Sequence, residues 1–298
     1  MGEQSERHAW FDRGVRALAR ALAPAGGDCY VCPLCRTPVE RDLIATELTV
    51  EHAPPESIGG HAVALTCRAC NSHAGAELDE ALRLQYLDRQ LFHGGSVTTQ
   101  QVVSVREGTR ARGQLTFGSE EFRFDPIPAQ NHPEELRAFR ENSERSAANA
   151  QGGQEIVLEI PMRASPRRAS LSLIRAAFVV AFATFGYTYA LDPAMDPLLE
   201  QIRRPADLLI DPLPIHYDET TPSDLREISI IREPETLHSV LVRMGDAAVF
   251  LPVPHDMVFF AEFPRQRDAT APLESNPYAV QLLIERFDWP TSPQHLLD

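Results

Sequence analysis

The chain has 298 residues, 43% of them hydrophobic, which is enough for one large or two ordinary domains with a packed core. Its formal charge of −14 argues against broad wrapping of a polyanion, although residues 1–117 hold 12 Arg and 14 acidic residues, close to neutrality, and residues 118–298 hold 16 and 28. No apolar run reaches bilayer length: the longest, 176–189, contains Thr184 and Gly186, so no membrane partner is expected.

The opening MGEQSERHAW lacks the charged-then-apolar layout of a secretory leader, and Glu6 stands where a myristoylation signal has Ser or Thr. The cytoplasm is the expected compartment. Residues 8–23 set Trp10, Val15, Leu18 and Leu22 at helical spacing, and Pro24-Ala25-Gly26-Gly27 ends that helix. A cysteine-rich stretch, 28–75, follows. A second helix is predicted over 71–91, with Leu78, Leu82 and Tyr86 on one face and His93-Gly94-Gly95 as its stop. Strands are predicted at 97–105, 112–118 and 121–125, with Gly108, Gly113 and Gly118 as turns. Pro126, Pro128 and Pro133 precede a polar helix at 133–146, a loop at 147–153 and a strand at 154–162. The most hydrophobic helix, 168–187, reads as the centre of a second core, and strands are expected at 226–232, 238–244, 247–252 and 257–262. This is an α+β chain with a module at 1–95 and an acidic α+β accessory or regulatory region at 96–298.

All five cysteines fall between Cys29 and Cys70. Clustered CxxC spacing points to metal rather than to disulfides spread along a secreted chain. Cys32/Cys35 and Cys67/Cys70 each offer two thiolates from one tight turn, and four thiolates suit tetrahedral Zn²⁺. Such an ion has no open position, so it staples the fold and does no chemistry. Cys29 reads as a spare thiol, with an exchange of ligands left open. All 28 basic residues are arginine, whose planar fork suits phosphate. Arg163, Arg167, Arg168 and Arg175 form the densest basic group, read first as partners of nearby carboxylates and second as a DNA contact.

Between the cysteine pairs lie Glu51-His52, Pro54-Pro55 and Gly59-Gly60; after them come Asn71 and Gly75. This order over about residues 29–90 resembles the HNH, or ββα-metal, endonucleases with an embedded four-cysteine zinc knuckle. The resemblance implies an N-terminal zinc-stapled ββα-metal module followed by a larger mixed α+β region. It implies metal-dependent hydrolysis of phosphodiester bonds in DNA, with RNA left open and restriction or defence against foreign DNA as the setting. His52 would be the general base, its ordinary pKa near 6.5 suiting proton transfer at neutral pH. Glu51 and Asn71 would hold Mg²⁺ or Mn²⁺ through oxygen.

Adjacent residues on a strand face opposite ways, so Glu51 and His52 need a twist or bulge to reach one phosphate. Where the family has its middle Asn, this chain has His61-Ala62, leaving His61 or a backbone carbonyl to orient the His52 ring. His73 is an alternative metal ligand, and Arg68 a candidate phosphate contact or a solvated surface residue. Two rival functions stay open: a non-catalytic zinc module that recognises nucleic acid or protein, and a toxin or effector nuclease controlled by a partner. A homo-oligomer or a regulatory protein partner fits either.

Overall fold

The computed structural model describes residues 3–22, 28–92, 97–106, 108–117, 122–149, 157–159, 165–218, 220–270 and 282–298. The chain packs as two compact units: Met1–Leu82 together with Pro166–Asp298, and Arg83–Ser165. This differs from the expected division at residue 95. The first unit is discontinuous because its core helix comes from the C-terminal half.

Helix α1 (Glu3–Ala21) buries Trp10, Phe11, Ala17 and Leu18, a pair of neighbours repeated two turns on, which gives one apolar stripe. Strands β1 (Cys29–Val31) and β2 (Pro38–Glu40) pair antiparallel around the first CxxC turn. Then come a short helix α2 (Ile44–Glu47), the antiparallel strands β3 (Leu48–Ala53) and β4 (His61–Cys67), and helix α3 (Arg68–Ala74). These last three elements form the anticipated ββα unit. A π-helical turn, Gly75–Asp79, leads from α3 into α4 (Glu80–Phe92), so the helix predicted over 71–91 is one rod with a wide turn inside it. Its expected Gly stop lies outside the described residues.

The second unit holds β5 (Val97–Arg106), β6 (Thr109–Phe117), β7 (Phe122–Pro126), α5 (Pro133–Asn149) and β8 (Val157–Glu159), with sheet order β7-β6-β5-β8. Val102 and Leu115 centre its small core. Gly108 turns at φ +80°, as expected, but Gly113 lies inside β6. A Cβ there would sit 2.4 Å from the Asp125 carbonyl oxygen, so this glycine admits a neighbouring strand and makes no turn. Gly118 and the outer parts of the 154–162 strand fall outside the described residues.

The remainder of the first unit contains α6 (Pro166–Phe185), α7 (Tyr187–Ala190), α8 (Asp196–Arg203), β9 (Ile215–Tyr217), β10 (Arg226–Glu233), β11 (Ser239–Met244), β12 (Ala247–Leu251), α9 (Phe259–Thr270) and β13 (Leu283–Phe287). The five strands form an antiparallel sheet ordered β13-β10-β11-β12-β9. By length and hydropathy α6 matches a membrane span, longer than the apolar run seen in sequence, yet every residue from Ala169 to Phe185 is buried in protein. It lies between the β3–β4 hairpin and strands β11 and β12, and so serves one core shared by both halves of the chain. Of the strand expected at 257–262, residues 257–258 form a turn and 259–262 begin α9. Asp256 Oδ1 accepts from the Val258 N–H at 3.3 Å within the turn, and Phe259 packs one turn on against Phe263, a helical spacing.

Candidate active site and metal centre

The four sulfurs of Cys32, Cys35, Cys67 and Cys70 lie within 4.8 Å of one another. The first pair stands on a turn closed by the Arg36 N–H to the Cys32 carbonyl at 2.8 Å and the Cys32 N–H to the Thr37 carbonyl at 3.0 Å. The second pair straddles the end of β4 and the start of α3. Backbone N–H groups point at the sulfurs: Cys67 N–H donates to Cys32 Sγ at 3.3 Å and Cys70 N–H to Cys67 Sγ at 3.4 Å. Such donors stabilise thiolate charge. Mutual hydrogen bonding drives the Cys35 thiol far below its ordinary value and brings Cys67 down to about 7, while it pushes Cys32 and Cys70 up. Four crowded sulfurs sharing protons are placed to hold one metal ion, and an all-thiolate tetrahedron suits zinc. Cys29, on β1 opposite Glu40, stands outside the set.

The second constellation lies on the β3–β4 hairpin. Glu51 pairs with Ala64, but His52 pairs with Ala62, so Val63 is an extra residue on β4. Residues directly opposite in an antiparallel pair share a face, and the extra residue breaks the alternation of faces along β4 between Ala62 and Ala64. Glu51, opposite Ala64, therefore emerges on the face that carries Thr49 and Thr66, and His52 follows it at the bulge. Asn71, in the first turn of α3, donates its Nδ2 to Thr49 Oγ1 at 2.7 Å on that same face, which leaves its Oδ1 as an acceptor.

Glu51 is 3% exposed. Its Oε2 accepts from Thr66 Oγ1 at 2.9 Å and from Arg175 Nη2 at 2.6 Å, and no described residue hydrogen-bonds its Oε1. Arg175 comes from α6 and is 1% exposed, with Asp79 Oδ2 3.9 Å from its Nη1. Burial works against its charge, but Glu51 and Asp79 outweigh that and hold the guanidinium above its ordinary pKa. Glu51 and Asn71 are thus each anchored through one atom, which leaves one carboxylate oxygen and one amide oxygen, donors of the kind a hard divalent cation takes.

Residues 29–87 match the HNH endonuclease family. No curated protein and no solved structure matches the chain. The HNH match covers the cysteine pairs, the hairpin and the helix that carries Asn71, and it leaves the second unit and the C-terminal sheet outside it.

Within the matched segment the secondary candidates separate. His61 pairs with Ala53 and is adjacent to Ala62, so its side chain leaves the opposite face from His52 and it does not orient that ring. Among the described residues none hydrogen-bonds either His52 nitrogen. His73, two residues past Asn71, points to another side of α3. It lies 3.7 Å from Glu77 and borders a groove with Leu43, Glu47 and Cys70, away from Thr49. Arg68 gives its Nε to the Thr46 carbonyl at 2.8 Å and Nη2 to the Ala45 carbonyl at 3.5 Å, pinning α2 beside α3.

The basic group near α6 divides likewise. Arg167 binds Gln201 Oε1 and the Ile210 carbonyl, and Arg175 is internal; Arg163 lies outside the described residues. Three residues of the site were not marked by sequence: Thr49, Thr66, and Arg175 as a partner of Glu51. Arg175 had a signal, being the one charge between Ala169 and Phe185.

Proposed function

We propose that the HNH module hydrolyses phosphodiester bonds in DNA, with His52 as general base. The observation that carries this reading is the bond from Asn71 to Thr49, which ties α3 to the hairpin face that carries Glu51, the neighbour of His52. In this role the His52 ring takes a proton from the attacking water. Glu51 Oε1 and Asn71 Oδ1 would hold Mg²⁺ or Mn²⁺. When bound, such an ion supplies Lewis-acid stabilisation of the charge that builds on the phosphate and the leaving oxygen. The thiolate cluster, holding zinc, fixes the end of β4 and the start of α3 and so keeps Asn71 over the hairpin. The first unit carries 18 Arg and 31 acidic residues, which disfavours extended DNA wrapping and confines contact to the neighbourhood of the hairpin.

The deciding experiment is cleavage of supercoiled plasmid by the zinc-loaded chain with Mg²⁺ or Mn²⁺, beside an RNA substrate of the same charge. The wild type nicks or linearises plasmid, and His52→Ala is slower by at least about 100-fold. Equal rates remove His52 from the chemistry. Preferential loss of RNA changes the substrate and keeps the base.

A second reading, a non-catalytic metal-stapled module, is favoured by one feature: His52 has no orienting partner among the described residues. It requires that neither Mg²⁺ nor Mn²⁺ change any property of the zinc-loaded protein.

A further inference from the structure

Among the described residues, Arg175 is the bulkiest of the fully buried side chains. An apolar residue of the same volume on α6 would fill the space without desolvating a charge, so packing alone gives no reason for a guanidinium here. Its hydrogen-bonding geometry gives one. Ser172, one turn earlier on the same helix face, donates to Asp79 Oδ1 at 2.6 Å and fixes that carboxylate. Asp79 then faces one arm of the Arg175 fork while the other arm meets Glu51 at 2.6 Å. Thr66 adds a second donor to the same oxygen of Glu51. Both donors sit on Oε2, and two bonds from different elements fix the carboxylate plane with Oε1 left over.

We infer that Arg175, from the C-terminal half of the chain, is a positioning residue for the divalent-cation site: with Thr66 it takes Oε2 of Glu51 and presents Oε1 to the cation. This rests on the hydrolytic reading, in which Glu51 is a ligand. It extends that reading by making the site a composite of the HNH hairpin and α6, so the family segment by itself holds an incomplete set of groups. The Thr49–Asn71 bond is the counterpart on the amide side, anchoring nitrogen and freeing oxygen.

The test is Mn²⁺ binding to the zinc-loaded full chain without nucleic acid, read from the electron paramagnetic resonance signal of free Mn²⁺. The wild type takes up Mn²⁺ at a site that Glu51→Gln abolishes. Arg175→Lys keeps a charge and loses the fork; Thr66→Val keeps volume and loses the donor. Each weakens Mn²⁺ binding by roughly 10–100-fold, the usual effect of removing a group that orients a ligand. Thr66→Ser restores it, and zinc content and melting of Thr66→Val stay at wild-type values. Should Arg175→Lys fold poorly, Thr66→Val with its Ser rescue decides the matter at the same oxygen.

Equal Mn²⁺ affinity in wild type and Thr66→Val overturns the inference, as does a loss that merely tracks loss of zinc. A wild type without a Mn²⁺ site sensitive to Glu51→Gln overturns it too. Plasmid cleavage judges the hydrolytic reading separately: a cleaving wild type whose variants bind Mn²⁺ unchanged leaves that reading intact and removes only Arg175.

Discussion

Asn71 reaches back 22 residues to donate its side-chain amide to the Thr49 hydroxyl, fastening the first turn of α3 to the strand that carries Glu51 and His52. The bond fixes which end of the amide faces the hairpin surface. Orientation and ligation can therefore be separated by mutation. Thr49→Val removes only the orienting acceptor, and metal-dependent cleavage should fall by about 10–100-fold. Asn71→Ala removes the oxygen as well and should lower it further, with zinc content unchanged in both. Cleavage rates at saturating and limiting Mn²⁺ are the measurement. Thr49→Val equal to wild type at limiting Mn²⁺ would show that Asn71 needs no anchor.

Cys29 and Cys67 differ in what surrounds them, and the difference is testable. Cys29 sits on a strand edge outside the sulfur cluster, whereas Cys67 Sγ is 3.6 Å from Cys35 Sγ and accepts a backbone N–H. Cys29→Ser should bind one zinc per chain and melt with the wild type. In Cys67→Ser a hydroxyl replaces a thiolate, and the ion's contribution to folding is largely lost. A loss of about 3 kcal/mol lowers the melting temperature by roughly 6–12 °C for a unit of this size. Metal analysis with a calorimetric scan checks both. Zinc lost from Cys29→Ser and kept by Cys67→Ser would exchange the ligands.

The Gly59-Gly60 pair has two distinct physical reasons. Gly59 turns at φ +82° with open space around it, whereas a Cβ on Gly60 would lie 1.4 Å from the Pro54 carbonyl oxygen. The loop is closed by the Gly60 N–H to the Pro55 carbonyl at 3.2 Å, directly after the strand end that carries His52. Gly59→Ala should cost about 1–2 kcal/mol, the ordinary penalty of left-handed backbone. Gly60→Ala must push the loop open. It should cost more and also slow plasmid cleavage, because His52 moves with Ala53-Pro54. Urea titration and the cleavage rate are read together; a Gly60→Ala protein as stable and active as wild type would contradict this account.

How far these features could be read in advance depends on how local their causes are. The thiolate set was legible because CxxC spacing encodes a turn, and the Asn71 helix because its apolar period is local. A bulge was asked for at the Glu51-His52 pair, whereas the extra residue, Val63, lies on the opposite strand, fixed by pairing across the hairpin. Arg175 lies 124 residues from Glu51, and no period or motif links them. The same distance hides the division into units, since α6 completes the core of a module that precedes it by a whole inserted unit. In 257–262 an apolar run resembling a strand instead turns at 257–258, where Asp256 Oδ1 accepts from the Val258 N–H, and enters a helix at Phe259, a choice that six residues of hydropathy do not reveal. Short elements such as β9 and β13 owe their form to neighbouring strands.

The C-terminal segment offers a prediction about pH. Leu296 and Leu297 donate their N–H groups to the Thr184 and Phe185 carbonyls at 2.7 and 3.0 Å, capping the end of α6, and Asp298 accepts from the Tyr187 N–H at 2.6 Å. His295 sits inside this cap, 3% exposed, its ring 5.1 Å from Phe182, with neither nitrogen hydrogen-bonded. Burial, then the charges of Arg13 and Arg20, hold its pKa down from 6.5 to about 4. A histidine depressed on folding binds its proton more readily when unfolded. Its contribution is thus fully present above pH 6.5 and is lost as the pH falls from there toward 4. The size is roughly 3 kcal/mol between those limits. His295→Phe keeps the ring stack and cannot titrate, so its stability should fall less steeply over that window. The measurement is the urea midpoint of both proteins from pH 7.5 to 4. Parallel slopes would mean that His295 is protonated without opening the cap, and the burial argument would then be wrong.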